Sequence, residues 1–315
     1  MKGLKEVKVF APATVANLVC AFDILGVALE TPGDEVVLRL KKEPGIKISK
    51  ITGDGGRLPL DPERNVATIA MASMMSSLKV KEGVEVELIK KMPISSGLGS
   101  SAASSVAGVF ALNVLLGEPL SKEELLPFAL EGEKFASKEA HADNVAPSLF
   151  GGMILVRSIS PLEIVRISYP ESIYFGIVHP KMEIETKKAR QILPQKVPLK
   201  KAVIQWGNIA GLIAGLMKKD LKLISASLSD VIIEPVRSKL IPNFERAKEV
   251  ALKEGALAFG ISGSGPSVFA LCSSREEASF VARKVSEEFE KAGLSSDIYI
   301  SGVNEEGPKI VYRRG

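Results

Sequence analysis

The sequence predicts an α+β protein of two domains, residues 1–165 and 166–315. Three observations predict it. The chain has 315 residues, about twice the ~150 of an ordinary domain. Its first third reads as short Val-, Ile- and Leu-rich strands punctuated by Pro, Gly and Asp. Its second half reads strand–helices–strand–strand–helix–strand, the order of an α+β sandwich with an antiparallel sheet.

In the first half, VKVFAPA, ILGVALE, DEVVLRLKK and GIKISKI are the predicted strands. Asp61 followed by Pro62 gives an N-cap and a first helical residue, so a helix is expected from Asp61 to about Leu78. GVEVELIK alternates and reads as a strand. A Gly/Ser loop follows, then a helix over roughly 99–116. Ser121-Lys-Glu-Glu124 is a capping box that opens another helix. Gly151-Gly152 precedes the strand MILVRSI. In the second half YFGIVHP is a strand, and helical patterns cover about 199–217 and 242–253. ALAFGIS and PSVFALC are strands around Gly263-Ser264-Gly265. Ser274-Arg-Glu-Glu277 is a second capping box, and DIYISGV is the closing strand.

Composition narrows the function. Hydrophobic residues are 46% and charged residues 25%, as in ordinary soluble enzymes and unlike disordered chains. Lys and Arg number 41 against 37 Asp and Glu. That excess is small, the Lys pairs are scattered (Lys187–Lys188, Lys200–Lys201, Lys218–Lys219), and no basic run interleaves with aromatics, so nucleic acid is not an expected partner. Cys20 and Cys272 cannot build a disulfide framework, which points to a reducing cytosol. Glu6 and Pro12 interrupt the start as a secretory signal. The uncharged stretch 92–117 is half Ser and Gly, and its dense apolar part is short of the ~20 residues of a membrane span, so a cytoplasmic chain with no membrane partner is expected.

The most informative segment is PISSGLGSSAA: Pro93, Ile94, Ser95, Ser96, Gly97, Leu98, Gly99, Ser100, Ser101, Ala102 and Ala103. It joins a predicted strand to a predicted helix. The two glycines let a ligand approach the main chain, and the N–H groups and positive dipole end of the helix suit an anion. The physical reading is a phosphate cradle. A Walker loop is excluded, because the chain has no Gly-Lys pair. The dinucleotide fingerprint is formally matched by Gly97, Gly99 and Ala102, but no second strand precedes Glu118 to carry the required acid. A tight strand–helix turn that merely packs small residues remains open.

PISSGLGSSAA resembles the ATP-binding motif of the GHMP kinases. APATVANLVCAFDILGVAL (11–29) and HADNVAPSLFGG (141–152) resemble signatures of the homoserine kinase branch of that superfamily, and GISGSGPSVFAL (260–271) resembles its third, Gly-rich motif. Where the family carries a Gly-rich turn, this chain has Val19-Cys20-Ala21. The resemblance implies the two-domain α+β GHMP kinase fold: an N-terminal nucleotide-binding α+β domain and a C-terminal ferredoxin-like α+β sandwich. It implies ATP and Mg²⁺ as cofactors and transfer of a phosphoryl group to the hydroxyl of L-homoserine, a step of threonine biosynthesis. It further implies ATP contacts at Asn65 and along 93–103, and Mg²⁺ on Ser101 and Glu133.

The remaining polar residues admit two readings each. Asn17 and Asp23 either cap turns or, as the resemblance implies, hydrogen-bond the substrate and hold its ammonium. Glu133 shares a charged helix face with Glu131, Lys134 and Glu139, which read as solvated. His141, Asp143 and Asn144 form a polar cluster that could cap a helix, and two histidines in the chain argue against zinc. By resemblance Asp143 falls where mevalonate kinase relatives carry a catalytic Asp, and His141 and Asn144 face the substrate. Thr186, Arg190 and Arg237 would each read alone as surface residues. Two Arg can clamp a carboxylate, and the resemblance places all three, with Gly263, at the substrate. His179 reads as structural. Another GHMP kinase is the alternative, against which Asp23 speaks. A silent ligand sensor is a second, against which Ser101 and Glu133 speak. A homodimer is a possible assembly.

Overall fold

The computed structural model describes residues 4–137 and 141–315; Glu139 lies outside them. The elements run β1 (Glu6–Ala16), β2 (Leu25–Lys41), β3 (Ile46–Thr52), α1 (Val66–Ser77), β4 (Gly83–Ile89), α2 (Ser100–Leu115), α3 (Lys122–Ser137), α4 (Ala142–Phe150), β5 (Met153–Ile159), β6 (Leu162–Ile167), β7 (Tyr174–Pro180), α5 (Thr186–Gln191), α6 (Leu199–Lys218), α7 (Leu221–Ser227), α8 (Glu234–Arg237), α9 (Phe244–Lys253), β8 (Ala258–Ile261), β9 (Val268–Cys272), α10 (Arg275–Lys291), β10 (Ser296–Ser301) and β11 (Lys309–Arg314). No described helix is long and apolar enough to cross a membrane.

Two sheets carry the fold. The first orders β11-β1-β2-β4-β3, with β5 on β2 and β6 on β5. Its helices α1–α4 bury a common core with it, in which Val15, Val36, Leu38, Val106, Leu112 and Leu149 are all sealed from solvent. The second sheet is antiparallel in the order β10-β7-β9-β8. Numbered along the lobe this is 4-1-3-2, the order of a ferredoxin-like sandwich. Its second core gathers Phe244, Phe259, Val281 and Phe289 from α9, β8 and α10.

Local chemistry explains where expectation and structure part. ILGVALE and DEVVLRLKK form one strand, because β2 continues through Pro32 and Gly33. Its first residues pair with β5 and its later ones with β4. The helix expected from Asp61 begins later. Asp61 caps only a 3₁₀ turn over Pro62–Arg64, and Asn65 then caps α1 by accepting from the Ala67 N–H. The Ser121 box forms as expected, with bonds in both directions between Ser121 and Glu124. At the second box Ser274 caps α10, but the Glu277 carboxylate accepts from the Ser273 N–H instead. Two strands were not legible. β6 (LEIVRI) lies just after Pro161, where the sequence reads as the break between the two halves, and β11 returns from the chain's end to pair with β1.

Candidate active site

A cleft of about 710 Å³ takes its walls from both halves of the chain. It is lined by Asn17, Asp23, Asn65, Ile94, Ser95, Ser96, Gly97, Gly99, Ser100, Ser101, Glu133, His141, Asp143, Asn144, Thr186, Arg190, Arg237 and Gly263. Of the sequence-predicted residues, Pro93, Leu98, Ala102 and Ala103 do not line it. Leu98, Ala102 and Ala103 are fully buried and anchor the loop from behind.

The loop's shape follows from its glycines. Gly97 and Gly99 have φ of 80° and 66°, left-handed values that favour glycine. A Cβ on Gly97 would collide with the Ser262 and Gly265 backbone, so the missing side chain lets the third Gly-rich loop press against the first. A Cβ on Gly99 would strike Thr14 Oγ1 and Asn144 Oδ1, which share a 2.7 Å hydrogen bond. Bulk at Gly99 therefore acts on that pair as well as on the cradle. No side chain caps α2, which leaves first-turn N–H groups to a ligand.

Sequence reasoning missed what holds the helix start. Asp34, 1% exposed, pairs with Lys90, three positions before the loop. The Asp34 carboxylate also accepts from Ser100, Ser104 and the N–H groups of Lys91 and Met92, while Lys90 reaches the Ser100 carbonyl at 3.1 Å. A buried pair this well satisfied fixes geometry, and stripping one partner from such a pair costs ~3–5 kcal/mol. Lys90, Arg64 and Lys187 also line the cleft. The signal lay in Lys90's position between strand and Gly/Ser loop; Lys187 was hidden among scattered Lys pairs.

Glu133 does not lie on the solvated face that its charged neighbours alone would suggest. It is buried, whereas Glu131 and Lys134 are exposed. Gly132 allows this: a Cβ there would collide with Ser105 and the Val66 carbonyl, so α3 packs closely on α2. Glu133 Oε2 accepts from Ser101 Oγ at 2.6 Å, and Oε1 lies 3.2 Å from His141 Nδ1. The two hard oxygen donors fit a small divalent cation that draws its other ligands from water and phosphate. No cluster of three or more His, Cys, Asp or Glu suited to a metal occurs among the described residues.

A chain of polar contacts leads on from Glu133. His141 Nε2 lies 2.9 Å from Arg190 Nη2. A guanidinium can only donate, so Nε2 accepts and the His141 proton sits on Nδ1, toward Glu133. Arg190 in turn binds both oxygens of Asp23, at 3.0 and 2.9 Å. Asn17 orients this corner: its Oδ1 accepts from the Asp23 N–H and its Nδ2 donates to the Gly263 carbonyl. Arg237 donates to the same carbonyl at 3.0 Å and lies 4.9 Å from the Phe22 ring centroid. Burial lowers the Arg237 pKa to about 10 against the charge of Asp23. Thr186 Oγ1 is 3.3 Å from Ser264 Oγ. The turn at Val19-Cys20-Ala21 keeps left-handed backbone without glycine: Asn17, Leu18, Val19 and Asp23 have φ of 75°, 35°, 63° and 61°. Gly260 makes room for the Val19 side chain.

Asp143 sits in the first turn of α4, whose N-cap position falls on His141 rather than on Asp143 or Asn144 and has no side-chain capping bond. It is 2% exposed. Burial, and then the nearby Asp23 charge, push its pKa up to about 7 from 3.8. Between those values the folded chain keeps a proton that the unfolded chain has lost, so stability falls as pH rises through that window and levels off above it. Asp143→Asn removes this liability. It should raise stability by a few kcal/mol at pH 8, at ~1.4 kcal/mol per tenfold in proton affinity, with no gain near pH 4. Denaturant melts of both proteins at the two pH values measure this; an equal or smaller stability of the variant at pH 8 would contradict it.

His179 has the structural role expected: it is buried, its Nδ1 3.0 Å from Ser267 Oγ, and burial lowers its pKa.

The chain resembles known proteins in sequence and fold. Residues 65–152 match the family described as GHMP kinases N terminal domain, and residues 212–291 match GHMP kinases C terminal. A homoserine kinase of Chlorobium phaeobacteroides is 46% identical over 320 residues, covering 98% of this chain and 100% of that protein. The crystal structure of a homoserine kinase from Cytophaga hutchinsonii superposes with a TM-score of 0.96 at 52% identity, covering 98% of each chain. L. major mevalonate kinase, solved with R-mevalonate, shares the fold at a TM-score of 0.73 and 19% identity, over 94% of this chain and 96% of its own. With full-length identity at that level in both sequence and solved structure, the chain belongs to the homoserine kinase family of the GHMP kinases.

Proposed function

We propose that the cleft transfers the γ-phosphoryl group of ATP to the side-chain hydroxyl of L-homoserine, giving ADP and O-phospho-L-homoserine. The observation that carries this reading is one cleft that brings an uncapped helix start beside a Gly loop together with a carboxylate and two guanidiniums, Asp23, Arg190 and Arg237. The first end suits phosphates. The second has the charges to bracket an amino acid's ammonium and carboxylate.

In this reading residues 95–101 and the first turn of α2 receive the phosphates, with Asn65 and the apolar Leu58, Val66, Leu88 and Ile94 around the base. Ser101 and Glu133 would hold Mg²⁺, which when bound neutralises charge on the β- and γ-phosphates. Asn17, Asp23, His141, Thr186, Arg190 and Arg237 orient homoserine, and Gly263 gathers Asn17 and Arg237 through its carbonyl. Asn144 directs the hydroxyl. Asp143, poised near neutrality, is suited to take the hydroxyl proton, although phosphoryl transfer draws most of its acceleration from positioning and charge. Positioning of this kind supplies ~7–11 kcal/mol of barrier reduction.

Substrate choice is tested by ADP release with homoserine, mevalonate, shikimate and galactose in parallel. Homoserine should be turned over at least tenfold faster than any other. Preference for mevalonate would move the assignment to another GHMP kinase, and release with none would favour a ligand sensor.

A further inference from the structure

Helix α5 and the residues before it are tied to the cleft along their length. Arg57 holds Glu183 through two bonds of 2.6 and 2.8 Å, which reach from one half of the chain to the other. Thr186 Oγ1 lies 3.3 Å from Ser264 Oγ, and Ser264 follows Gly263, which packs against the Gly97 carbonyl of the Gly/Ser loop. Arg190 binds Asp23 and His141. The short helix therefore runs from the Gly/Ser loop to the corner held by Asp23, across the place where nucleotide and acceptor would meet.

Lys187 lies between those ties. Residues three apart share a helix face, so Lys187 and Arg190 stand on one side of α5, and both line the cleft. Ala189 is buried, and Lys188 pairs with Glu185 at 2.9 Å without lining the cleft. Of the other cations in the cleft wall, Lys90 is paired with Asp34 and bonded to the Ser100 carbonyl. Arg190 holds Asp23, and Arg237 donates to the Ala189 and Gly263 carbonyls. Arg64 stands beside Asn65, at the end assigned to the base. Lys187 is exposed, and its ammonium has no hydrogen-bond or ion-pair partner among the described residues.

We infer that Lys187 is a catalytic residue of the phosphoryl transfer proposed above, on which this role rests: its ammonium donates to a γ-phosphoryl oxygen and follows that group from nucleotide to acceptor. In the step the acceptor hydroxyl oxygen forms a bond to the γ-phosphorus. The bond from that phosphorus to the β–γ bridging oxygen breaks, its electron pair leaves with ADP, and the hydroxyl proton passes to the Asp143 carboxylate. Lys187 keeps its own protons throughout. It supplies a charge that the Gly/Ser loop lacks, since residues 93–103 contain no Lys or Arg. An ammonium on a flexible four-carbon stem suits a group that moves, because it binds phosphate as a point charge rather than through a fixed fork.

Calorimetry with ADP and with the β,γ-imido analogue of ATP, which adds the terminal phosphoryl group in unreactive form, reads this contact without turnover. Lys187→Ala should weaken the imido analogue by ~10- to 100-fold, the worth of a hydrogen bond to a charged group, and bind ADP as the wild type does. Its kcat with homoserine should fall by ~10²–10³-fold, as when one donor to developing charge is lost, with the homoserine KM little changed. Lys187→Arg should restore most of the affinity for the imido analogue. Lys188→Ala, one position on, should change neither binding nor rate. Lys187 is exposed, so thermal melting of its variants should match the wild type. Equal losses for ADP and the imido analogue overturn the role, as does a Lys188→Ala variant that behaves like Lys187→Ala, because charge rather than position would then matter. A wild type that releases no ADP with homoserine sinks the kinase reading and the catalytic role with it. An active wild type beside an unaltered Lys187→Ala sinks the role alone.

Discussion

Glu133→Gln should lower turnover by ~10²–10³-fold, the usual loss when one group that stabilises transferring charge is removed, in a chain that stays folded. The substitution keeps the side chain's size and its place on α3, where Gly132 presses the helix onto α2. It keeps an oxygen able to accept from Ser101 Oγ, now at 2.6 Å. What it removes is negative charge where a divalent cation would sit. The loss should therefore deepen as Mg²⁺ becomes limiting and be partly relieved at high Mg²⁺. Steady-state rates across a Mg²⁺ titration measure it. A near-normal rate at limiting Mg²⁺ would reduce Glu133 to a structural partner of Ser101 and His141.

How much was legible depended on whether a residue's role is local. The shape of the Gly/Ser loop was readable because glycine spacing, small side chains and an incipient helix lie within eleven consecutive residues. The succession of strands in the second sheet was readable because they and α10 follow one another with clear breaks. Glu133 was not readable from residue types, since its neighbours Glu131 and Lys134 share its charge pattern. Only the close approach of α3 to α2 through Gly132 separates a buried carboxylate from exposed ones. Asp34 and Lys90 lie 56 positions apart, and their pairing depends on the register of β2 against β4. β11 was missed because its partner, β1, lies at the opposite end of the chain. Arg190 and Asp23 were read as opposite charges for one ligand, and their contact with each other needed the fold to bring residues 23 and 190 together.

That contact decides how the central claim is tested. Arg190 satisfies both oxygens of Asp23. An amino acid that places its ammonium on Asp23 and its carboxylate on Arg190 and Arg237 replaces one part-exposed pair by two that it covers from water. Losing one partner of such a pair costs ~2–5 kcal/mol, or roughly 30- to several-thousand-fold. The measurement is kcat/KM of the wild type and of Asp23→Asn with homoserine and with its deaminated analogue, beside the slow hydrolysis of ATP by water. The account predicts that Asp23→Asn loses ~30-fold or more with homoserine, loses far less with the deaminated analogue, and hydrolyses ATP at the wild-type rate. An Asp23→Asn enzyme that still prefers homoserine over the deaminated analogue as strongly as the wild type would contradict it.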